Sequence, residues 1–108
     1  MAPKNPRDQL LDFLDRKMFE PVLKASPDDY ESDNDKKKLE GVQKTTRSTQ
    51  ESYHKLTTPE RVRNEFRGDL NSEAAKKVHN ELRSLHLPTA NDVKDEFEQL
   101  YDKLGVGR

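Results

Sequence analysis

An all-α fold, a small bundle of about five helices organised along one long helix, is predicted by three observations in this 108-residue chain. Apolar residues recur at intervals of three and four and do not alternate as in a half-buried strand. Capping residues and prolines stand where helices should begin. One stretch, at about residues 35–57, carries a seam along which shorter helices could gather. Its seam residues Leu39, Val42, Thr46, Thr49, Tyr53 and Leu56 are spaced three, four, three, four and three apart. That is the rhythm of a helix laying a narrow stripe against its neighbours. At 1.5 Å per residue such a helix is about 30 to 35 Å long.

The composition allows one domain over residues 1–108 with a thin core. Leu, Val and Phe number 12, 6 and 4, with no Ile, so these three residue types must supply most of the apolar volume. So few large apolar residues sit near the disorder boundary. The 20 basic and 21 acidic residues nearly cancel, however, and removing net self-repulsion favours folding. Without cysteine there is neither a disulfide framework nor a thiolate metal site. Asp8, Asp12 and Asp15 interrupt the first apolar segment, which therefore does not read as a signal or transit peptide. No apolar run approaches the roughly 18 residues of a membrane span. The expectation is a cytoplasmic protein with no membrane partner.

The first helix opens with Asn5 as N-cap, Pro6 at the first position and Asp8 near the positive end of the helix dipole. Leu10, Leu11, Phe13, Leu14 and Met18 form its apolar face. Pro21 should end or kink it, because the ring clashes with the preceding turn and lacks an N–H. Val22 and Leu23 extend the apolar surface before Ser26-Pro27 turns the chain into an acidic loop, 27–34. Asn34 or Asp35 is expected to cap the long helix. Five hydroxyl residues between Thr45 and Ser52, with Gly41 before them, are its weak point.

Thr58-Pro59-Glu60 starts a third helix with Val62, Phe66 and Leu70 on one face and Gly68 fraying its end. A fourth starts at Asn71 or Ser72, carries Ala75, Val78, Leu82 and Leu85, and stops at Leu87-Pro88. Thr89 and Asp92 approximate a capping box for the fifth, with the stripe Val93, Phe97, Leu100 and Leu104. Gly105 should cap its end, with Val106 folding back. Residues 1–5 and 105–108 read as frayed termini.

Few constellations carry chemistry. Asp29, Glu31, Asp33, Asp35 and Glu40 resemble the oxygen spacing of an EF-hand calcium loop. Asn34 stands where that loop needs glycine, Lys36 where an apolar residue is usual, and Lys36, Lys37 and Lys38 would repel the cation. A solvated acidic linker is the better reading. His79 and His86 are seven apart, about 10 Å along a helix, too far to share one metal. His54, like these two, reads as solvated or half-buried. No nucleophile motif, zinc-protease motif or glycine-rich phosphate loop is present, so neither enzyme activity, cofactor nor metal is expected. The hydroxyls of Thr45 to Ser52 beside Arg47 are candidates for phosphorylation, though such clusters are common on solvated helices.

Charge is unevenly placed: residues 1–35 carry a net −4, residues 36–87 a net +5 and residues 88–108 a net −2. The basic middle could meet a phosphate backbone through Lys36, Lys37, Lys38, Arg61, Arg63, Arg67, Lys76 and Lys77. Five acids standing four residues before a base, Asp12–Arg16, Glu20–Lys24, Glu40–Lys44, Glu51–Lys55 and Glu73–Lys77, argue instead for exposed helix faces. The leading expectation is a non-catalytic module that binds another protein or a second copy of itself. Its docking candidates are Thr46, Thr49 and Tyr53, since threonine at mid-seam suggests a shallow, partly exposed groove. The alternative is a nucleic-acid-binding accessory protein.

Overall fold

Local capping sets where each helix begins. In the computed structural model, which describes residues 4–105, the Asn5 side chain accepts the Asp8 N–H at 2.9 Å and α1 runs over Pro6–Leu14. Ser32 accepts from Asp35 ahead of α3 (Asp33–His54), and Thr58 accepts from Arg61 ahead of α4 (Pro59–Asn71). Ser72, extended at ψ 151°, closes α4 and caps α5 (Glu73–Ser84). Asp92 accepts from both the Thr89 backbone N–H and its hydroxyl at the head of α6 (Ala90–Lys103). The described residues form a small all-α bundle without strands.

Three boundaries differ from the sequence expectation. Ser32, not Asn34 or Asp35, caps the long helix, which ends at His54. It runs unbroken through the hydroxyl-rich segment, since tertiary packing outweighs a propensity deficit of a few tenths of a kcal/mol per residue. Gly68 does not fray α4, which continues to Asn71.

Pro21 does not end the first helical rod either. A π-helical turn over Asp15–Phe19 joins α1 to α2 (Glu20–Leu23), with the Glu20 N–H reaching back to the Asp15 carbonyl. The wider turn comes just before Pro21, whose ring crowds the preceding turn and has no N–H to donate. It also leaves the neighbours Met18 and Phe19 both buried. Beyond α2, a 3-10 turn at Pro27–Asp29 occupies part of the acidic loop.

The rods pack into two cores in line. One holds Leu10, Leu14, Phe19, Tyr53, Val62, Phe66 and Phe97, contributed by α1, the π turn, the end of α3, α4 and α6. At its centre Phe97 stacks on Phe66 with centroids 4.3 Å apart and meets Phe13 at 6.2 Å. The other holds Val22, Leu39, Val42, Leu82 and Leu85, from α2, the first half of α3 and α5. On α6 the buried stripe is Ala90, Val93, Phe97 and Tyr101, while Leu100 and Leu104 are half-buried at its margin. The Tyr101 ring is covered on one face by the Arg63 guanidinium, 4.3 Å from its centroid.

Side chains from elsewhere in the chain close three helix C-termini, where carbonyls lack intrahelical partners. Arg7 donates to the His54 and Leu56 carbonyls at 2.6 Å each, at and just past the end of α3. The Gln43 amide donates to the Val22 and Ala25 carbonyls at 3.1 and 2.8 Å, and Tyr30 to the Leu85 carbonyl at 2.6 Å. The end of α5 adds a left-handed residue, His86 at φ 60°, with Leu87 N–H reaching Leu82 and His86 N–H reaching Arg83. Gly105 at φ 70° follows α6. The expected fold-back of Val106 and the fraying of residues 1–3 and 106–108 lie outside the described residues.

Candidate functional site

α3 spans both cores, and the gap between them opens beneath its middle. Leu39 and Val42 belong to one core and Tyr53, with Leu56 against it, to the other. Between them, Thr45, Thr46 and Thr49 line a groove of about 200 Å³. Met18 and Phe19 of the π turn and Val22 of α2 form one wall, and Ala75, Val78 and Leu82 of α5 form another. The corner between α4 and α5 adds Asp69 and Ser72, and His79 lines it too. Threonine suits this position because both cores stop short of it. Its methyl meets apolar neighbours while its hydroxyl can bond to a carbonyl three or four residues back.

The groove corrects part of the sequence expectation. Thr49 is half-buried, but Thr46 is buried at 6% exposure and Tyr53 is fully buried at 0%. Tyr53 therefore stands in the core and presents no surface to a partner. Its ring packs 5.4 Å from that of Phe19, and its hydroxyl donates to Asp69 Oδ2 at 2.5 Å. Ala75 and Val78, expected in a core stripe, are half-buried instead because they border the opening.

The groove holds two titratable groups, Asp69, which sequence reading passed over, and His79, which it expected to be solvated or half-buried but which is buried. Asp69 sits three residues after Phe66, on the buried side of α4, and that spacing was the available signal. Burial raises its carboxyl above the usual aspartate range, against the opposing effect of the Tyr53 hydrogen bond. The Tyr53 hydroxyl is raised in turn by burial and by the Asp69 charge, and stays protonated. His79 is buried three residues before Leu82. Burial, then the Arg83 charge, lower its pKa, while Asp92 opposes them; its Nδ1 lies 3.5 Å from the Asn91 side-chain nitrogen.

The basic residues of the middle segment are scattered and partly engaged. Arg63 and Arg67 both bond Glu98 of α6, with N···O distances of 3.0 to 3.4 Å. Burial works against ionising Glu98, but these bonds outweigh it and hold the carboxyl below its usual range. Lys76 pairs with Glu73 at 3.3 Å, and Lys38 donates to the Ser84 hydroxyl at 3.3 Å. Lys37, Arg61 and Lys77 are exposed and Lys36 half-buried. They stand on three different helices.

The acidic residues with calcium-loop spacing are drawn apart, since Asp33, Asp35 and Glu40 belong to α3 while Asp29 closes the 3-10 turn. Among the described residues no three histidines or carboxylates gather as metal ligands. His54 meets Asp15 at 3.0 Å, and Gln50 bonds the same carboxylate at 3.0 Å. None of the described helices is long and apolar enough to cross a membrane. No family model matches this chain, and neither the curated proteins nor the solved structures show a significant match to it.

Proposed function

We propose that this chain is a small non-catalytic helical module that binds another protein, with the groove under the middle of α3 as its contact face. The supporting observation is the groove's position and size. It separates two packed cores, and its roughly 200 Å³ falls below the usual 300–1,000 Å³ of a pocket for a drug-sized ligand. That volume suits one anchoring side chain of a partner, with α3 and α5 supplying flanking contacts. The same reading sets the protein in the cytoplasm, consistent with a chain free of cysteine.

The test is affinity capture from source cells using the wild-type chain and Thr49→Arg, whose long side chain would block the groove. Helical content of the variant is checked by circular dichroism. The reading requires proteins that the wild type retains after nuclease treatment and the variant loses. Partners released by nuclease and retained by Thr49→Arg would favour nucleic-acid binding through the exposed lysines and Arg61. Partners retained equally by both chains after nuclease would move the contact face away from the groove.

A further inference from the structure

The chain buries two carboxylates in part along α4 and α6, and treats them differently. Glu98 receives two arginines. Asp69, lining the groove, accepts a hydrogen bond from Tyr53 on Oδ2, and no lysine or arginine pairs with it among the described residues. His79, the other titratable group in the groove, is held toward its neutral form by burial. A half-buried carboxylate has room for several hydrogen bonds and gains from a nearby cation. The groove thus combines apolar walls with an uncompensated negative charge at one corner.

We propose that the partner's anchor in this groove is a single lysine side chain, its methylene stem against Met18, Phe19, Val22 and Val78 and its ammonium on Asp69. This rests on the docking reading above and names the chemistry of its occupant. Charge complementarity selects a cation over an apolar anchor. Geometry selects lysine over arginine. A guanidinium binds a carboxylate best through two parallel bonds to both oxygens, and Tyr53 already occupies Oδ2. An ammonium needs only one oxygen, and Oδ1 accepts none of the side-chain bonds that Asp69 makes. The flexible aliphatic stem also buries apolar area along the groove while its charge reaches the corner.

Titration of the full chain with small probes, followed by amide chemical shifts, tests this. The probes are n-hexylamine, n-hexylguanidine, hexanol and hexanoate, which share one stem and differ in the head group. The amine should shift Thr46, Thr49, Asp69, Ala75 and Val78 and bind at least tenfold tighter than hexanol, with the guanidine weaker than the amine. In Asp69→Asn the amine should fall to the level of hexanol. Equal binding of amine and hexanol, or an unchanged amine preference in Asp69→Asn, would overturn the proposal. So would tighter binding of hexanoate, which would assign recognition to the N-terminus of α5 at Ser72. If Asp69→Asn does not fold, the four probes on the wild type decide by themselves. Failure of the amine preference leaves the Thr49→Arg capture result standing with an uncharged anchor. Retention of partners by Thr49→Arg, with the amine preference intact, would make the groove a site for small free amines and overturn the lysine anchor.

Discussion

The Tyr53 hydroxyl and the Asp69 carboxylate are hydrogen-bonded at 2.5 Å, tying the last turn of α3 to the last turn of α4 at the edge of the groove. The bond gives a fully buried phenol its partner and a half-buried carboxylate its donor. Tyr53→Phe removes the donor and leaves Asp69 to bear its desolvation alone. The expected cost is about 1.5–3 kcal/mol, the range for hydrogen bonds to charged groups, read from urea unfolding at neutral pH. A loss under about 0.5 kcal/mol would show that water replaces the tyrosine.

Asp69 and His79 give stability opposite pH dependences. His79 has its pKa lowered in the fold, so its contribution is full above the unfolded value of about 6.5 and is lost as pH falls through the folded value. Asp69 has its pKa raised, so its contribution is full below about 3.9 and is lost as pH rises through the folded value. Between pH 7 and 5, His79→Gln should therefore flatten any fall in the urea midpoint on acidification. Asp69→Asn should steepen the fall on further acidification toward about pH 4, where the wild type regains stability by protonating Asp69. Changes in the opposite directions would contradict the burial assigned to each group.

His86 occupies the left-handed region at φ 60°, which a residue with a Cβ enters at a cost of about 1 kcal/mol. Glycine enters it freely, and the bonds that His86 and Leu87 make at the end of α5 run between backbone atoms, with none from the imidazole. His86→Gly should accordingly stabilise the protein by about 0.5–1 kcal/mol, raising the thermal midpoint by a few degrees. Destabilisation would mean that the imidazole makes a contact that outweighs the strain.

The aromatic centre should dominate the larger core. Phe97, fully buried against Phe66 and Phe13, should cost about 3–5 kcal/mol on truncation to alanine. Leu100, half-buried at the margin, should cost no more than about 1.5 kcal/mol, near the low end of what burying a leucine is worth. Equal losses would return Leu100 to the core stripe.

Those two residues also show what could be read from the chain. Helix starts were legible because an N-cap and its hydrogen-bond partner lie within three residues: Asn5, Thr58 and Thr89 could be placed without tertiary knowledge. Helix ends were less so, because Tyr30 and Leu85 are 55 residues apart and Arg7 and Leu56 are 49. On α6, Leu100 and Tyr101 are adjacent positions that both continue the spacing from Phe97, and the fold buries Tyr101, with Arg63 over its ring. The threonines at mid-seam signalled a gap in the packing, and a groove lies there. That Thr46 and Tyr53 are nonetheless buried depends on the π turn and α5, whose placement no local pattern announces.

Thr49→Leu tests most directly the account of α3 as a helix bridging two cores over an unfilled groove. Leucine adds apolar volume where about 200 Å³ is open, removes a half-buried hydroxyl and improves helix propensity. Equilibrium unfolding in urea should show it as stable as the wild type or more stable by up to about 1 kcal/mol, with an unchanged slope. A loss of about 1–3 kcal/mol, the usual penalty of overpacking a filled core, would mean that the two cores meet beneath Thr49 and that the groove is absent in solution.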